Sequence, residues 1–463
     1  MISPFPGREL VKISGYKTKL YEKYSLMKNP TLCLTISILV FTSYFVSSAQ
    51  TTKGPSIEIV PQNGNYLYHI GETAEMDIHV IIPENLKHPS EVTYRLSLNG
   101  DRTLEEGTLN LDKGKSRISS TLDEPGFLRC DITCMVGNDN LHASCGCGFN
   151  VEEIRPAGKL PENFDRFWRE AKAELLRIPI DAQLEEVAVV DPGDAQRFKV
   201  GLANVNGSRV YGWLHLPEGD GPFPTVLSIP GSGIGRTGRF AGFTEAGIAV
   251  LAIEVHGLEP KKHEIIGAAQ WIRPADDEIN HFVELQKGIL AGYHSFGIED
   301  PYRYFHRRSL QSAMRALDYL YTRTDVDTSQ IIVFGGSQGG GLSLLLGAID
   351  KRVNAVVATV PGFCNNASRF SGTPGRPGEP EDSHMRQVNR TMSYFDAALA
   401  AEHIKVPTMI GVGFIDNTCL PTNVYSAYNN LNGPKKIENF YTFGHGAPSD
   451  WREKTIQWIL EEK

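Results

Sequence analysis

Basic residues are in the minority in this chain, with 46 Lys and Arg against 54 Asp and Glu and a formal charge of −8. That balance suits a soluble protein and argues against nucleic acid or an anionic membrane surface as a partner. The usual phosphate-loop motif is missing as well, since the chain has no G-x-x-x-x-G-K-[ST] run. Metal catalysis finds little to work with: His263-Glu264 lacks the second histidine of H-E-x-x-H, and Glu254 with His256 is only a pair. No cofactor is implied. Long apolar runs are scarce too, and the one candidate, Thr31 to Val46, is short and broken by Thr, Ser and Cys.

That run sits in a recognisable setting. Met27-Lys28-Asn29-Pro30 precedes it and Ser47-Ser48-Ala49-Gln50 follows, giving the basic start, apolar middle and small-residue end of a secretory signal peptide cut after Ala49. A membrane anchor is the alternative, but no stable insertion is expected once the signal is cut. Residues 1–26 are polar and basic, unusual ahead of a signal, so Met27 competes with Met1 as the true start. Cys33 lies at the front of the apolar run, the wrong end for a lipid-anchored cysteine. The expectation is a secreted or periplasmic protein, with residues 1–49 forming the N-terminal extension and signal.

At 463 residues, what remains is long enough for two domains. From residue 52 to 155 apolar and polar residues alternate, as in Glu75-Met76-Asp77-Ile78-His79-Val80 and Thr93-Tyr94-Arg95-Leu96-Ser97-Leu98, with Asn-Gly turns between the runs. This pattern predicts an Ig-like antiparallel β-sandwich. Cys130 and Cys134 fall on one face of one such strand, and Cys145 and Cys147 on one face of the next. Disulfides, plain burial and a zinc site are the alternatives for these four.

The pattern changes past Arg155-Pro156-Ala157-Gly158. From 160 to 463 apolar strands alternate with amphipathic helices, the first beginning at Phe164. Strands are expected at Val210–Leu216, Thr225–Ile229, Ile248–Glu254, Ile331–Phe334, Ala355–Thr359, Thr408–Val412 and Glu438–Thr442, and a helix at Leu310–Arg323. This is the pattern of a doubly wound, mostly parallel sheet covered on both faces, with functional residues at the strand C-termini.

One segment there carries chemistry. In Gly335-Gly336-Ser337-Gln338-Gly339-Gly340 a serine stands between an apolar strand and an apolar helix, and glycines beside it permit the tight turn. The pattern is only moderately specific by itself. Two later strands, however, run into Asp416 and His445, so that serine, aspartate and histidine follow one another in the order of α/β-hydrolases. Serine is a poor nucleophile; His445 would take its proton, and Asp416 would hold the imidazole tautomer. For the oxyanion the backbone N–H groups of Gln338 and Ser232 are the expected donors, the latter from Pro230-Gly231-Ser232-Gly233 after an earlier strand.

With these motifs in place the chain, over about residues 160 to 463, resembles acetyl xylan esterases and cephalosporin C deacetylases, the seventh carbohydrate esterase family of α/β-hydrolases. The likeness runs through Gly335-Gly336-Ser337-Gln338-Gly339-Gly340-Gly341, Ser393-Tyr394-Phe395-Asp396-Ala397-Ala398 and Gly411-Val412-Gly413-Phe414-Ile415-Asp416. It implies that Ser337, Asp416 and His445 act as nucleophile, acid and base, with Gln338 at the oxyanion. Three departures alter the pocket wall: His256-Gly257-Leu258 for the family's Arg-Gly-Gln, His445-Gly446 for its His-Glu, and Pro230-Gly231-Ser232 for its His-Gly-Tyr. The expected activity is a serine esterase removing acetyl groups from acetylated polysaccharide or oligosaccharide such as xylan. A homo-oligomer, hexameric in the family, is left open. The rival readings are a peptidase of the same fold and an inactive carbohydrate-binding protein. The lack of a propeller-like repeat ahead of the hydrolase disfavours a prolyl-oligopeptidase architecture.

Overall fold

The computed structural model describes residues 54–83, 85–189, 193–233, 240–259, 263–266, 271–274, 292–370 and 382–462, with the backbone alone for 263–266, 271–274 and 369–370. The signal segment with Cys33 and Ala49 lies outside the described residues, as do the side chains of His263 and Glu264. The described residues fall within one compact unit, Lys53–Lys463.

The alternating stretch forms two sheets. Its strands are β1 (Ser56–Pro61), β2 (Leu67–Tyr68), β3 (Ala74–Ile81), β4 (Glu91–Leu98), β5 (Arg102–Asn110), β6 (Lys115–Ser120), β7 (Gly126–Val136) and β8 (Asp139–Phe149). One sheet has the order β1-β3-β6 and the other β2-β8-β7-β4-β5. Every pairing is antiparallel except the short one of β2 with β8, which is parallel. Period-two alternation selects the inner faces: Ala74, Met76, Ile78 and Val80 of β3 meet Leu128, Ile132 and Val136 of β7 in one apolar core. All four cysteines of this region are buried there as free thiols, Cys130 opposite Cys145 in register. Burial pushes the Cys130 thiol up, so it behaves as a small apolar side chain.

The second half contributes β9 (Gln183–Glu186), β10 (Gln196–Ala203), β11 (Arg209–Leu216), β12 (Phe223–Ile229), β13 (Ala249–Glu254), a separate hairpin of β14 (His263–Ile266) and β15 (Trp271–Pro274), β16 (Val326–Gly336), β17 (Ala355–Thr359), β18 (Thr408–Gly413) and β19 (Lys435–Phe440). The main sheet has the order β19-β18-β17-β16-β12-β13-β11-β10-β9. Its pairs are parallel from β13 through β19, while β9, β10 and β11 extend it antiparallel. The predicted helix at Leu310–Arg323 begins earlier, at Phe305. The predicted strand Glu438–Thr442 begins three residues earlier, at Lys435, and ends two residues earlier, at Phe440, because Tyr441 and Thr442 already belong to the turn.

Helices α1 (Phe164–Leu176), α2 (Ala241–Glu245), α3 (Phe305–Leu320), α4 (Gln338–Ile349), α5 (Ser383–Ser393), α6 (Ala397–Ala400), α7 (Pro421–Asn430) and α8 (Trp451–Glu461) accompany this sheet. In α1 the buried Phe164, Phe167, Trp168, Ala171 and Leu175 recur at helical spacing and make one apolar face. Phe127, Val151 and Ile154, from the strand-rich half and its exit, pack in the same core as Leu251, Leu317, Val333 and Ile410. Among the described residues no helix is long and apolar enough to cross a membrane.

Candidate active site

Strand order brings the site together. β12 and β16 are neighbours at the centre of the sheet, and β17, β18 and β19 follow outward. In a parallel sheet the loops leaving these strands therefore emerge on one edge.

Ser337 connects β16 to α4 with φ 55° and ψ −121°, a conformation that L-residues adopt only under constraint. The constraint is visible. Ser337 N donates to the Thr359 carbonyl at 2.9 Å, and the Ser337 carbonyl accepts from Gly362 N at 2.7 Å and Gly341 N at 3.1 Å. A Cβ on Gly335 would collide with the Gly339 backbone, and one on Gly339 with the Ile229 and Pro230 carbonyls. Glycine is required at both positions.

Asp416 and His445 meet this serine. His445 Nε2 lies 2.9 Å from Ser337 Oγ, and His445 Nδ1 lies 2.8 Å from Asp416 Oδ2. The Asp416 side chain is fully buried, and its other oxygen accepts from Thr418 N at 2.7 Å and Cys419 N at 3.0 Å. These bonds hold it aimed at the imidazole, and with Nδ1–H facing the carboxylate the Nε2 lone pair faces the serine hydroxyl. The hydrogen bond to Asp416, and after it one to Cys419, raises the His445 pKa above the ordinary imidazole range.

The two expected oxyanion residues are also neighbours, joined by a residue that sequence reasoning did not find. Tyr293 donates from its hydroxyl to Gln338 Oε1 at 2.9 Å and accepts from Gly233 N at 3.2 Å, while Gln338 Nε2 reaches the Gly231 carbonyl at 3.4 Å. Ser232 Oγ lies 2.8 Å from His294 Nε2. Tyr293 is buried against the rings of His256 at 4.7 Å and Phe305 at 5.0 Å. It opens a single 3-10 turn, Tyr293–Ser295, which has no periodic pattern, so nothing in its local sequence marks it. Cys419 is the second residue missed, although its position just past Asp416 was open to notice.

His256 Nδ1 stands 3.7 Å from Glu254 Oε2 with both side chains buried, so this pair packs behind Tyr293. Among the described residues one group of potential ligand atoms lies within 4.8 Å of one another, that of Asp416, Cys419 and His445. It coincides with the hydrogen-bonded chain just described. A cleft of about 1640 Å³ opens beside Ser337 and His445, lined also by Ser232, Thr418, Phe240 and Trp451. A buried carboxylate, an imidazole and a hydroxyl in this order can move a proton from the hydroxyl and return it to a leaving group.

The acetyl xylan esterase (AXE1) family model matches residues 149–374 and 375–462. Acetyl esterase Axe7A of Xylanibacter ruminicola is 30% identical over 419 residues, covering 87% of this chain and 90% of that protein. The solved acetyl xylan esterase from Paenibacillus sp. R4 is 28% identical with a TM-score of 0.54, covering 67% of this chain and 98% of its own. Acetyl xylan esterase 1 from Thermoanaerobacterium sp. JW/SL YS485, at 21% identity, shares the fold with the same TM-score of 0.54 over 67% of this chain and 97% of its own. The chain thus belongs to the acetyl xylan esterase family of α/β-hydrolases and is a carboxylic ester hydrolase of the serine-hydrolase type.

Proposed function

We propose that the protein removes acetyl and other short acyl groups from acetylated polysaccharide or oligosaccharide such as xylan, through a Ser337-His445-Asp416 triad and an acyl-enzyme. The observation that carries this reading is the continuous hydrogen-bonded chain from a strained serine to a buried carboxylate.

In the first step Ser337 Oγ attacks the ester carbonyl as its proton passes to His445 Nε2. The carbonyl oxygen takes the negative charge and is held by the N–H groups of Gln338 and Ser232. Collapse breaks the C–O bond to the sugar, whose oxygen takes the proton from His445 and leaves as the free alcohol. Water then attacks the acetyl-serine with His445 again as base, releasing acetate and restoring the Ser337 hydroxyl. Asp416 stays ionised throughout and stabilises the imidazolium.

The cleft volume supports a bulky alcohol, since it far exceeds what an acetyl group fills. The names of the relatives support acetyl as the acyl group. We place the reaction outside the cytoplasm on the signal-like run ending at Ala49; a mature N-terminus at Gln50 would bear this out. The decisive experiment compares p-nitrophenyl acetate, butyrate and octanoate, and measures acetate released from acetylated xylan. Each surplus methylene should cost about 10-fold in kcat/KM. Faster octanoate cleavage, or peptide amide cleavage without ester preference, would overturn the substrate class, and binding of xylan without acetate release would mark an inactive binding protein.

A further inference from the structure

Arg129 lies on β7 of the sandwich, outside the stretch matched by the family. Its side chain is 11% exposed and fixed on its own side: Nε donates to both Asp131 oxygens, at 2.9 and 3.1 Å, and Nη2 donates to Ser144 Oγ at 3.0 Å. Ser144 Oγ donates in turn to Asp131 Oδ1 at 2.5 Å. From this mount Nη1 crosses to the hydrolase half, donating to the Ile415 carbonyl at 3.0 Å and to Oδ1 of Asn417.

Those two acceptors flank Asp416. The sandwich touches the same loop at its other positions. The Phe127 ring meets Phe414 edge-on at 5.0 Å, and Asn99 Oδ1 accepts from Thr422 Oγ1. Gly146 of β8 lets the backbone approach so closely that a Cβ there would collide with the Phe414 carbonyl oxygen. A guanidinium held by a carboxylate and donating to two groups across a half-buried gap is a charge-assisted, directional clamp, stiffer than an apolar contact of the same area.

We propose that Arg129 is a positioning residue for ester hydrolysis: through Ile415 and Asn417 it sets the Asp416 carboxylate against His445, so that the sandwich completes the active site. The inference rests on the triad reading above. Arg129 touches no reacting atom and acts by limiting how far the Phe414–Thr422 loop can move. Displacing a catalytic group by about 1 Å costs on the order of 10²-fold in rate.

The test uses the full chain and p-nitrophenyl acetate, with Arg129→Met, Arg129→Lys, Asn417→Ala and Ser337→Ala. Arg129→Met should lower kcat about 10- to 100-fold with KM within about 2-fold. Arg129→Lys should recover part of the loss, because an ammonium reaches one acceptor and lacks the fork. Asn417→Ala should lower kcat several-fold, and combining it with Arg129→Met should add less than the sum of the single effects. A folded Arg129→Met enzyme with wild-type kcat, or one in which KM alone rises, overturns the inference. If Arg129→Met does not fold, Asn417→Ala decides, and wild-type kcat in that variant overturns it. Turnover surviving in Ser337→Ala would instead sink the triad reading, so the two failures are distinguishable.

Discussion

The Tyr293 hydroxyl donates to Gln338 Oε1 at 2.9 Å while accepting from Gly233 N, so one buried phenol ties the start of α4 to the loop that follows β12. The N–H groups proposed for the oxyanion belong to these two segments. Tyr293→Phe removes the tie and leaves a buried carbonyl and a buried N–H without partners. The expected result is a loss of about 10-fold in kcat with KM little changed, and about 1–3 kcal/mol of stability. Steady-state kinetics and a thermal melt check both parts; unchanged turnover would mean the two segments hold their places without the phenol.

Ser337→Ala and His445→Ala should each lower kcat by at least about 10³-fold with the fold intact, because nucleophile and base act as a unit. Asp416→Asn should cost less, though still at least about 10²-fold. Circular dichroism alongside a sensitive ester assay separates lost chemistry from lost structure. Normal turnover in the serine variant would end the mechanism.

The hydrogen bonds to Asp416 and then Cys419 favour the charged imidazole of His445 and raise its pKa. The reaction needs the neutral ring, so activity is absent at low pH and rises as pH climbs through the raised value. The groups facing this ring are Asp416, Cys419 and Ser337. Removing the carboxylate charge in Asp416→Asn should move the acid limb of the kcat/KM profile to lower pH even as its plateau falls. A profile whose acid limb stays in place would show that Asp416 does not set the imidazole pKa.

Asp396 caps α6 and accepts four backbone N–H bonds, from Asn365 at 3.0 Å, Asn366 at 2.6 Å, Ala398 at 2.9 Å and Leu399 at 3.2 Å. Its side chain is buried. Asp396→Ala orphans all four donors and should cost about 3–5 kcal/mol. Chemical denaturation measures this directly; a loss below about 1 kcal/mol would mean the turn re-pairs its amides.

The hydrolase half was legible where pattern and burial agree. Leu227, Val333, Val356 and Ile410 stand in strands buried on both faces, and such strands announce themselves as apolar runs. β9 did not, because all four of its residues are exposed at the sheet edge and read as loop. β19 was misplaced for a related reason, since Lys435 and Lys436 open it with exposed charge. Ser337, Asp416 and His445 could be read because each follows a recognisable strand. Tyr293 and Arg129 could not, since their partners lie far along the chain and only the folded contacts reveal them.

Phe127, Val151 and Ile154 are shared with the hydrolase core. For anyone building hybrids of related esterases, this makes the natural exchange unit discontinuous in the gene. A foreign sandwich grafted ahead of Ala157 would arrive without the Phe414–Thr422 segment its hydrolase-facing surface was shaped against. Recombination should therefore succeed when both stretches come from one parent, and give folded but slow enzymes when they come from two.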